Sequence, residues 1–378
     1  MLYNVYMSNR AKYNVFLFVS TFARALVEIF ISLFLFKNGF SLNQVLLVYL
    51  LENVFALFIS YAMVRIGERY NYAVVMCIGI VAFIILQVVL SHPVHDGFFV
   101  VLLSFLYSLY RRGYWVARRY YVTKVVPRRD SSGPFSIMMV VSEAASISAG
   151  FLGGSLLDGF NVLTLTILSS ALLFVSAIPL LWIKGKSSGT KVELMRNLKK
   201  YDKKNYLAFS LFEINNVLTF IFPIFVTLYI KETYMMAGVV SAVSGLAIIV
   251  FILIYGRVIR KRNYFIFSTV LFIAVSCGKL LFLDYAFLVL CFVEGIVKKM
   301  QEQSLNKIYF ENRGDMDLTH YNLIYQTIGA FARIVVVIPL LFMNDVRMMI
   351  MFVLAVICIN IIIYACSVKN RVWHETDA

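Results

Sequence analysis

The sequence predicts an all-α membrane protein of twelve transmembrane helices in two six-helix bundles, with the N and C termini in the cytoplasm. Three observations carry this prediction: an apolar composition, twelve segments of membrane-spanning length and a one-sided distribution of Lys and Arg. Of the 378 residues, 61% are hydrophobic and 15% are charged, whereas soluble proteins average about 45–50% apolar and about 25% charged residues. A soluble fold of this size could not hide that much apolar surface from water. Lipid is therefore the expected solvent.

Twelve segments contain the roughly 20 mostly apolar residues that a transmembrane helix needs. We number them span 1 to span 12 in chain order. Spans 1–6 are predicted at 14–36, 42–63, 72–91, 97–117, 133–157 and 161–183, and spans 7–12 at 205–230, 236–256, 263–283, 285–307, 318–342 and 346–367. Residues 1–12 are polar and lack the short apolar core and cleavage site of a signal peptide, so span 1 is expected to stay in the protein.

The basic residues lie almost entirely on one side of the predicted membrane. The two termini and the even-numbered loops, with the span ends that adjoin them, hold 27 of the 35 Lys and Arg residues, and the odd-numbered loops hold Lys37, Lys231 and Arg347. This asymmetry follows the positive-inside rule and places both termini in the cytoplasm. It also accounts for the net charge of +15, so we expect no nucleic-acid partner.

The longest connection divides the spans six and six. The predicted domains are an N-terminal six-helix bundle over 1–183, a basic cytoplasmic linker over 184–204 and a C-terminal six-helix bundle over 205–378. The linker holds eight basic residues, which suit anionic lipid at the inner surface, and its segment 192–198 could lie there as a short helix. Its Gly185-Lys186-Ser187 sequence is not a phosphate-binding loop, because the first glycine of that motif would fall at Leu180.

No pattern in the sequence predicts an enzyme, a metal site or a cofactor. The five cysteines lie within apolar segments without a CxxC pair, which favours free thiols over disulfides or zinc ligands. The four histidines lie in loops, tails or span ends, and neither an HExxH nor a GxSxG motif occurs. His92, His95 and Asp96 could bind a metal loosely, although a solvated turn is the simpler interpretation.

Charged side chains at membrane depth are costly and usually face a cavity or a charged partner. Four glutamates within the spans are candidates for proton coupling: Glu143, Glu28, Glu52 and Glu213. Glu28 follows Arg24 by one turn, so these two can form an ion pair on span 1. Glu143 has no such partner on span 5 and is therefore the favoured proton carrier. A structural ion pair is the alternative for each of the four.

The same reasoning gives candidates for a substrate-binding cavity. Arginine forks suit carboxylate or phosphate groups, and aromatic residues recur at helical spacing beside the arginines of span 4, although such stripes also serve packing. The candidate cavity residues are Arg24, Arg111, Arg112, Tyr110, Tyr114, Asn216, Glu294 and Lys298. Lys279 and Arg333 lie close enough to the outer face for their side chains to reach the headgroups, which predicts structural roles for both.

Charge is unevenly distributed among the spans. Spans 3, 6 and 12 have no charged residue away from their ends, and span 9 has Lys279 alone. Twelve spans, cytoplasmic termini, a six-plus-six division and a long basic central loop resemble the major facilitator superfamily (MFS), in which spans 3, 6, 9 and 12 are peripheral and the others line a central cavity. The resemblance implies parallel halves that work by alternating access. It also implies similar inner loops after spans 2 and 8, which here are 65–69 and 257–262.

Two local motifs of that family are partly present. The loop after span 2 keeps Arg65, Gly67 and Arg69 of the gating loop, but Ser60 and Val64 stand in place of its first glycine and its acid. Span 5 resembles a glycine-rich antiporter motif, although its first glycine stands where proline is expected. Small residues at this spacing also let helices pack closely, so both interpretations stay open. The glycines concerned are Gly150, Gly153 and Gly154.

The leading functional interpretation is a secondary active transporter that exports a small organic or amphiphilic solute by proton antiport. A proton gradient would drive it without a cofactor. Two alternatives share the fold: a lipid or glycolipid flippase, which Phe22-Ala23-Arg24 with Glu28 and Glu52 loosely resembles, and proton-coupled uptake of an organic anion. The expected partners are membrane lipids and a small-molecule or amphiphilic substrate. We expect a monomer in the bacterial cytoplasmic membrane.

Overall fold

The computed structural model of the protein describes residues 2–125, 132–181, 203–255, 264–311 and 318–376. Every regular element in these ranges is an α-helix. Span 1 is made of two helices, Leu2–Glu28 and Ile31–Lys37. Spans 2–6 are Leu42–Arg69, Tyr72–Leu90, Gly97–Val125, Ser132–Gly159 and Val162–Leu181, and spans 7–12 are Lys203–Tyr229, Tyr234–Tyr255, Tyr264–Leu281, Tyr285–Glu311, Leu318–Leu340 and Val346–Thr376.

The predicted all-α fold with twelve spans is confirmed, and the differences lie mainly at span ends. Within the described ranges, nine helices are long and apolar enough to cross a membrane. Spans 4 and 10 fall outside that group because charged residues such as Arg111 and Glu294 interrupt them, and span 6 because its apolar helix, Val162–Ile178, is short. The predicted linker over 184–204, its surface helix and the inner loop 257–262 fall almost wholly outside the described residues.

Span 1 is interrupted between its two helices, which the sequence did not predict. Here the Phe30 amide donates to the carbonyl of Val27, three residues back, at 2.9 Å. Gly39 then turns the chain towards span 2 with φ of 86°, a left-handed conformation that favours glycine. Ser41 caps span 2 by accepting from the Gln44 amide at 3.2 Å, so the turn between spans 1 and 2 is fixed locally.

The twelve spans pack as two halves of six spans each. In the first half (spans 1–6), span 1 packs against spans 5 and 6, and span 4 against spans 2 and 3. In the second half (spans 7–12), span 10 packs against spans 8 and 9, and span 7 against spans 11 and 12. The most extensive contacts between the halves form two seams, one between spans 5 and 8 and the other between spans 2 and 11.

Candidate functional site

A cavity of about 420 Å³ lies between the two halves. It is lined by residues of spans 1, 2, 4 and 5 from the first half and of spans 7, 8, 9 and 10 from the second. Its apolar wall includes Ile29, Phe220, Phe222, Val226, Val240 and Ile248. The charged lining residues are Arg24, Glu28, Arg111, Glu143, Lys279, Glu294 and Lys298. The cavity therefore combines an apolar body with charges of both signs.

The structure divides the predicted residues into two groups. Lining the cavity are Arg24, Arg111, Asn216, Glu294 and Lys298 among the predicted substrate residues, and Glu28 and Glu143 among the proton-coupling candidates. Outside the lining are Arg112, Tyr110, Tyr114, Glu52 and Glu213. These five are buried side chains that hold the lining residues or join helices, as their contacts show.

Span 1 presents its predicted ion pair to the cavity. The Arg24 guanidinium bonds the Glu28 carboxylate one turn along the helix. The Tyr110 hydroxyl of span 4 donates to the same carboxylate at 2.9 Å. The Arg24 guanidinium also lies over the rings of Tyr114 and Trp115, at 5.1 and 5.3 Å from their centroids. The aromatic stripe of span 4 therefore holds a cation and its counter-ion in place.

Glu52 of span 2 is fully buried between two arginines of span 4. Its oxygens accept from Arg111 at 3.2 Å and from Arg112 at 3.0 Å. Arg111 continues past this contact into the cavity, whereas Glu52 and Arg112 lie behind the wall. Because two guanidinium groups share one carboxylate, the cluster keeps one uncompensated positive charge, and Arg111 carries it to the cavity surface.

Glu213 of span 7 is held by Arg333 of span 11. The Asn216 amide donates to the Glu213 carboxylate at 2.8 Å, and the Arg333 Nε donates to Asn53 Oδ1 of span 2 at 2.6 Å. The expectation that Arg333 reaches the headgroups is wrong: its side chain is 2% exposed. The Arg333 guanidinium pairs with the buried Glu213 carboxylate of span 7 and not with lipid headgroups.

Lys279 of span 9 also points inward, so the headgroup prediction is wrong for it too. Its ammonium group lies 2.5 Å from the Glu294 carboxylate of span 10 and 3.3 Å from the centroid of the Phe222 ring. The ammonium group of Lys298 lies 3.2 Å from the other oxygen of Glu294 and 3.3 Å from the Thr219 hydroxyl. Glu294 therefore forms ion pairs with two lysines.

Glu143 differs from the other three glutamates. It lines the cavity, and it forms no hydrogen bond or ion pair with any residue that the structure describes. The charged groups that act on it from neighbouring spans are Lys299, Glu302, Arg118 and Arg24. Lys299 is itself engaged, since its ammonium group bonds Glu302 at 2.8 Å. Glu143 is thus an uncommitted carboxylate at the cavity surface.

The glycines of span 5 lie in the seam with span 8 and against span 1. Gly150 faces the backbone of Gly238 so closely that a side chain on Gly238 would collide with the Gly150 carbonyl. A methyl group on Gly154 would lie 2.8 Å from the Met235 Cα, and one on Gly153 would lie 2.7 Å from the Leu26 carbonyl oxygen. Close helix packing thus accounts for Gly153 and Gly154, whereas a methyl group on Gly150 would meet its nearest atom, the Gly238 carbonyl oxygen, at 3.4 Å.

The gating-loop residues lie at the end of span 2, away from the cavity. Arg65 and Arg69 are exposed, and Gly67 lies against the Tyr72 ring, where a larger residue would not fit. Within the described chain, no group of three or more His, Cys, Asp or Glu side chains could hold a metal ion.

Twelve membrane helices around a central charged cavity define a polytopic membrane transporter. The sequence profile of the Major Facilitator Superfamily matches residues 14–337, so the chain belongs to this family of transporters and is not an enzyme. A crystal structure of the MFS transporter FucP in the outward conformation is similar, with a TM-score of 0.67 and 12% identity over 95% of this chain and 98% of that chain. No curated protein matches the chain.

Proposed function

We propose that this transporter exports a small organic or amphiphilic solute in exchange for protons, with Glu143 as the proton carrier. The observation that supports the proposal is the uncommitted Glu143 carboxylate in a cavity that both halves line. Glu143 lies eleven residues into the span that begins at Ser132, about 16 Å along the helix axis. A proton bound there is near the middle of the membrane and can be delivered to either side.

The other three glutamates are poor proton carriers because each forms an ion pair with one or two arginines. Glu28 bonds Arg24, Glu52 bonds two arginines, and Glu213 bonds Arg333. Protonating a buried carboxylate in such a pair would leave its guanidinium group uncompensated, which is strongly unfavourable. Glu143 can gain or lose a proton without breaking a described ion pair.

Antiport follows if the proton and the solute compete for the Glu143 carboxylate. In this scheme the solute binds when Glu143 is ionised and leaves when a proton from the other side replaces it. The halves rock about the cavity, the proton gradient supplies the driving force and no cofactor takes part. We place the monomeric protein in the bacterial cytoplasmic membrane with both termini inside.

The test uses proteoliposomes that contain a pH-sensitive dye and a panel of organic solutes and lipids. A substrate of the native protein should move protons in the direction opposite to itself. Glu143→Gln should abolish this proton movement and weaken the exchange of labelled substrate, because the neutral amide resembles the protonated carboxylate from which the solute leaves. The control is Glu232→Gln, because Glu232 is exposed in the loop between spans 7 and 8. Full proton movement in Glu143→Gln would rule out Glu143 as the carrier.

A further inference from the structure

We infer that the cavity binds a zwitterion: a solute that joins a cationic group, a carboxylate or phosphate group and an apolar body. The inference rests on the proposed function, because it takes Glu143 as the group for which solute and proton compete. It comes from two incompletely compensated charges of opposite sign, Glu143 on the first half and Lys298 on the second, that line one cavity.

The negative end of the site is Glu143. Glu143 is partly buried, and a partly buried carboxylate that no described residue satisfies is stabilised by a proton or by a cation. Ser146, one turn further along span 5, also lines the cavity and offers a hydroxyl to an ammonium group. A protonated amine fits this position, and it would leave when Glu143 takes up a proton.

The positive end of the site is Lys298. Lys279 and Lys298 share the single carboxylate of Glu294, so this cluster keeps one positive charge in excess. Lys279 is the more tightly bound of the two, with its side chain 1% exposed, whereas the side chain of Lys298 is 28% exposed towards the cavity. Its other partner, the Thr219 hydroxyl, is neutral. An anionic oxygen can therefore reach Lys298 without displacing Lys279 from Glu294.

The charge balance of the cavity disfavours a simple cation. The lysine cluster has one excess positive charge, and the cluster of Arg111, Arg112 and Glu52 has another. Arg24 and Glu28 compensate each other, so ionised Glu143 leaves the cavity with a net positive charge. The Nε groups of Arg24 and Arg111 are buried and have no hydrogen-bond partner among the described residues. The substrate is therefore expected to carry at least as many negative charges as positive ones.

The apolar wall and the volume of the cavity indicate what the rest of the substrate molecule is like. Phe220, Phe222, Val226, Val240 and Ile248 contribute apolar surface, and about 420 Å³ admits a small molecule or a headgroup with part of a chain. A soluble amino-acid-like compound and a zwitterionic lipid both have this chemistry. The test must separate these two sources.

The probes are four compounds with the same phenyl body: L-phenylalanine (zwitterion), 3-phenylpropanoate (anion), 2-phenylethylamine (cation) and 3-phenylpropanamide (neutral). Lysophosphatidylethanolamine (zwitterion), lysophosphatidic acid (its anionic analogue without the amine) and glycerophosphoethanolamine (the headgroup alone) form the lipid arm. Binding to the purified native protein is measured at one pH without a proton gradient. In whichever of the two sets of probes binds, we expect the zwitterion to bind about tenfold or more tightly than an analogue that lacks one of its charges. Each lost hydrogen bond with a charged group is worth about that factor in affinity. Preference for the lipid over its headgroup and over L-phenylalanine identifies a lipid substrate.

Two variants assign the ends of the site. Glu143→Gln should reduce the affinity for the zwitterion to that for the anion, and Lys298→Met should reduce it to that for the cation. The Glu232→Gln control should keep the native preference. Equal binding of zwitterion and anion by the native protein overturns the inference, as does absence of binding by every zwitterion in both arms. Because this binding assay uses no gradient, a failure of proton coupling alone leaves its result unchanged.

Discussion

Replacing Arg333 by Met should destabilise the protein more than any surface substitution. The Arg333 side chain is 2% exposed, and it bonds Glu213, whose side chain is 9% exposed. Removing one partner of a buried pair leaves an uncompensated charge and costs about 3–5 kcal/mol. Loss of the 2.6 Å hydrogen bond to Asn53 of span 2 adds to this cost and weakens a contact between the halves.

The second variant of this test removes both charges. Arg333→Met combined with Glu213→Met should recover most of the lost stability, because apolar replacement of a whole buried pair is often neutral. Unfolding in mixed detergent micelles, followed by circular dichroism, gives the free energy of each variant. Lys231→Met is the control, since Lys231 is exposed and should change stability by no more than about 0.5 kcal/mol.

Two outcomes would contradict this reasoning. The first is a loss below about 1 kcal/mol for Arg333→Met, which is within the range of an ordinary neutral hydrogen bond. The second is a double variant as unstable as the sum of its two single variants, because independent sites are additive whereas coupled partners are not. Either result would mean that the contact between Arg333 and Glu213 does not hold spans 7 and 11 together.

Two further substitutions test the packing and the lysine cluster. Gly154→Ala should lower the melting temperature, because its methyl group would lie 2.8 Å from the Met235 Cα. Gly159→Ala is the control and should not lower it, since a methyl group there would meet no other part of the described chain within 4 Å. Equal effects of the two variants in thermal unfolding would refute the close contact of spans 5 and 8. Lys279→Met should lower the free energy of unfolding by about 1–3 kcal/mol. This loss is smaller than that of Arg333→Met, because Glu294 keeps Lys298 as a partner at 3.2 Å. The same unfolding experiment in micelles measures both losses.

The number and positions of the spans could be predicted because membrane helices depend on local apolar composition. Spans 2, 4, 10 and 12 continue several residues past their predicted ends. The reason is that hydropathy marks where the lipid ends, whereas backbone hydrogen bonds continue a helix into the headgroup region. The interruption of span 1 was missed because it involves no glycine or proline: its residues are Ile29 and Phe30.

The partners of the charged residues were harder to predict than the residues themselves. Spacing along one helix found the pair of Arg24 and Glu28, but Glu52 and Glu213 find their arginines on other spans. Helical periodicity gives the face of a residue and not its neighbour across the interface. The sequence did indicate that Lys279 points inward. It lies three residues after Ser276 and seven after Phe272, on the buried face of span 9.

The placement of the ion pairs itself supports movement between two halves. Seven ion pairs between described residues each join residues of the same half: spans 1, 2 and 4 in the first, and spans 7, 9, 10 and 11 in the second. Side-chain contacts across the seam of spans 2 and 11 are hydrogen bonds with a neutral partner, such as Ser60 to Gln326 at 3.2 Å and Arg333 to Asn53.

This division has an energetic consequence for transport. Leaving one partner of a buried ion pair uncompensated costs about 3–5 kcal/mol, whereas a neutral hydrogen bond contributes about 1 kcal/mol and one with a charged partner about 1.5–3 kcal/mol. Halves that must part and rejoin in every cycle can break the second kind of contact repeatedly. The strong pairs keep each half rigid, so Glu143 and Lys298 would move towards or away from each other as parts of opposite halves. Their separation would then change in each cycle, which lets one conformation bind both ends of a substrate and another release it.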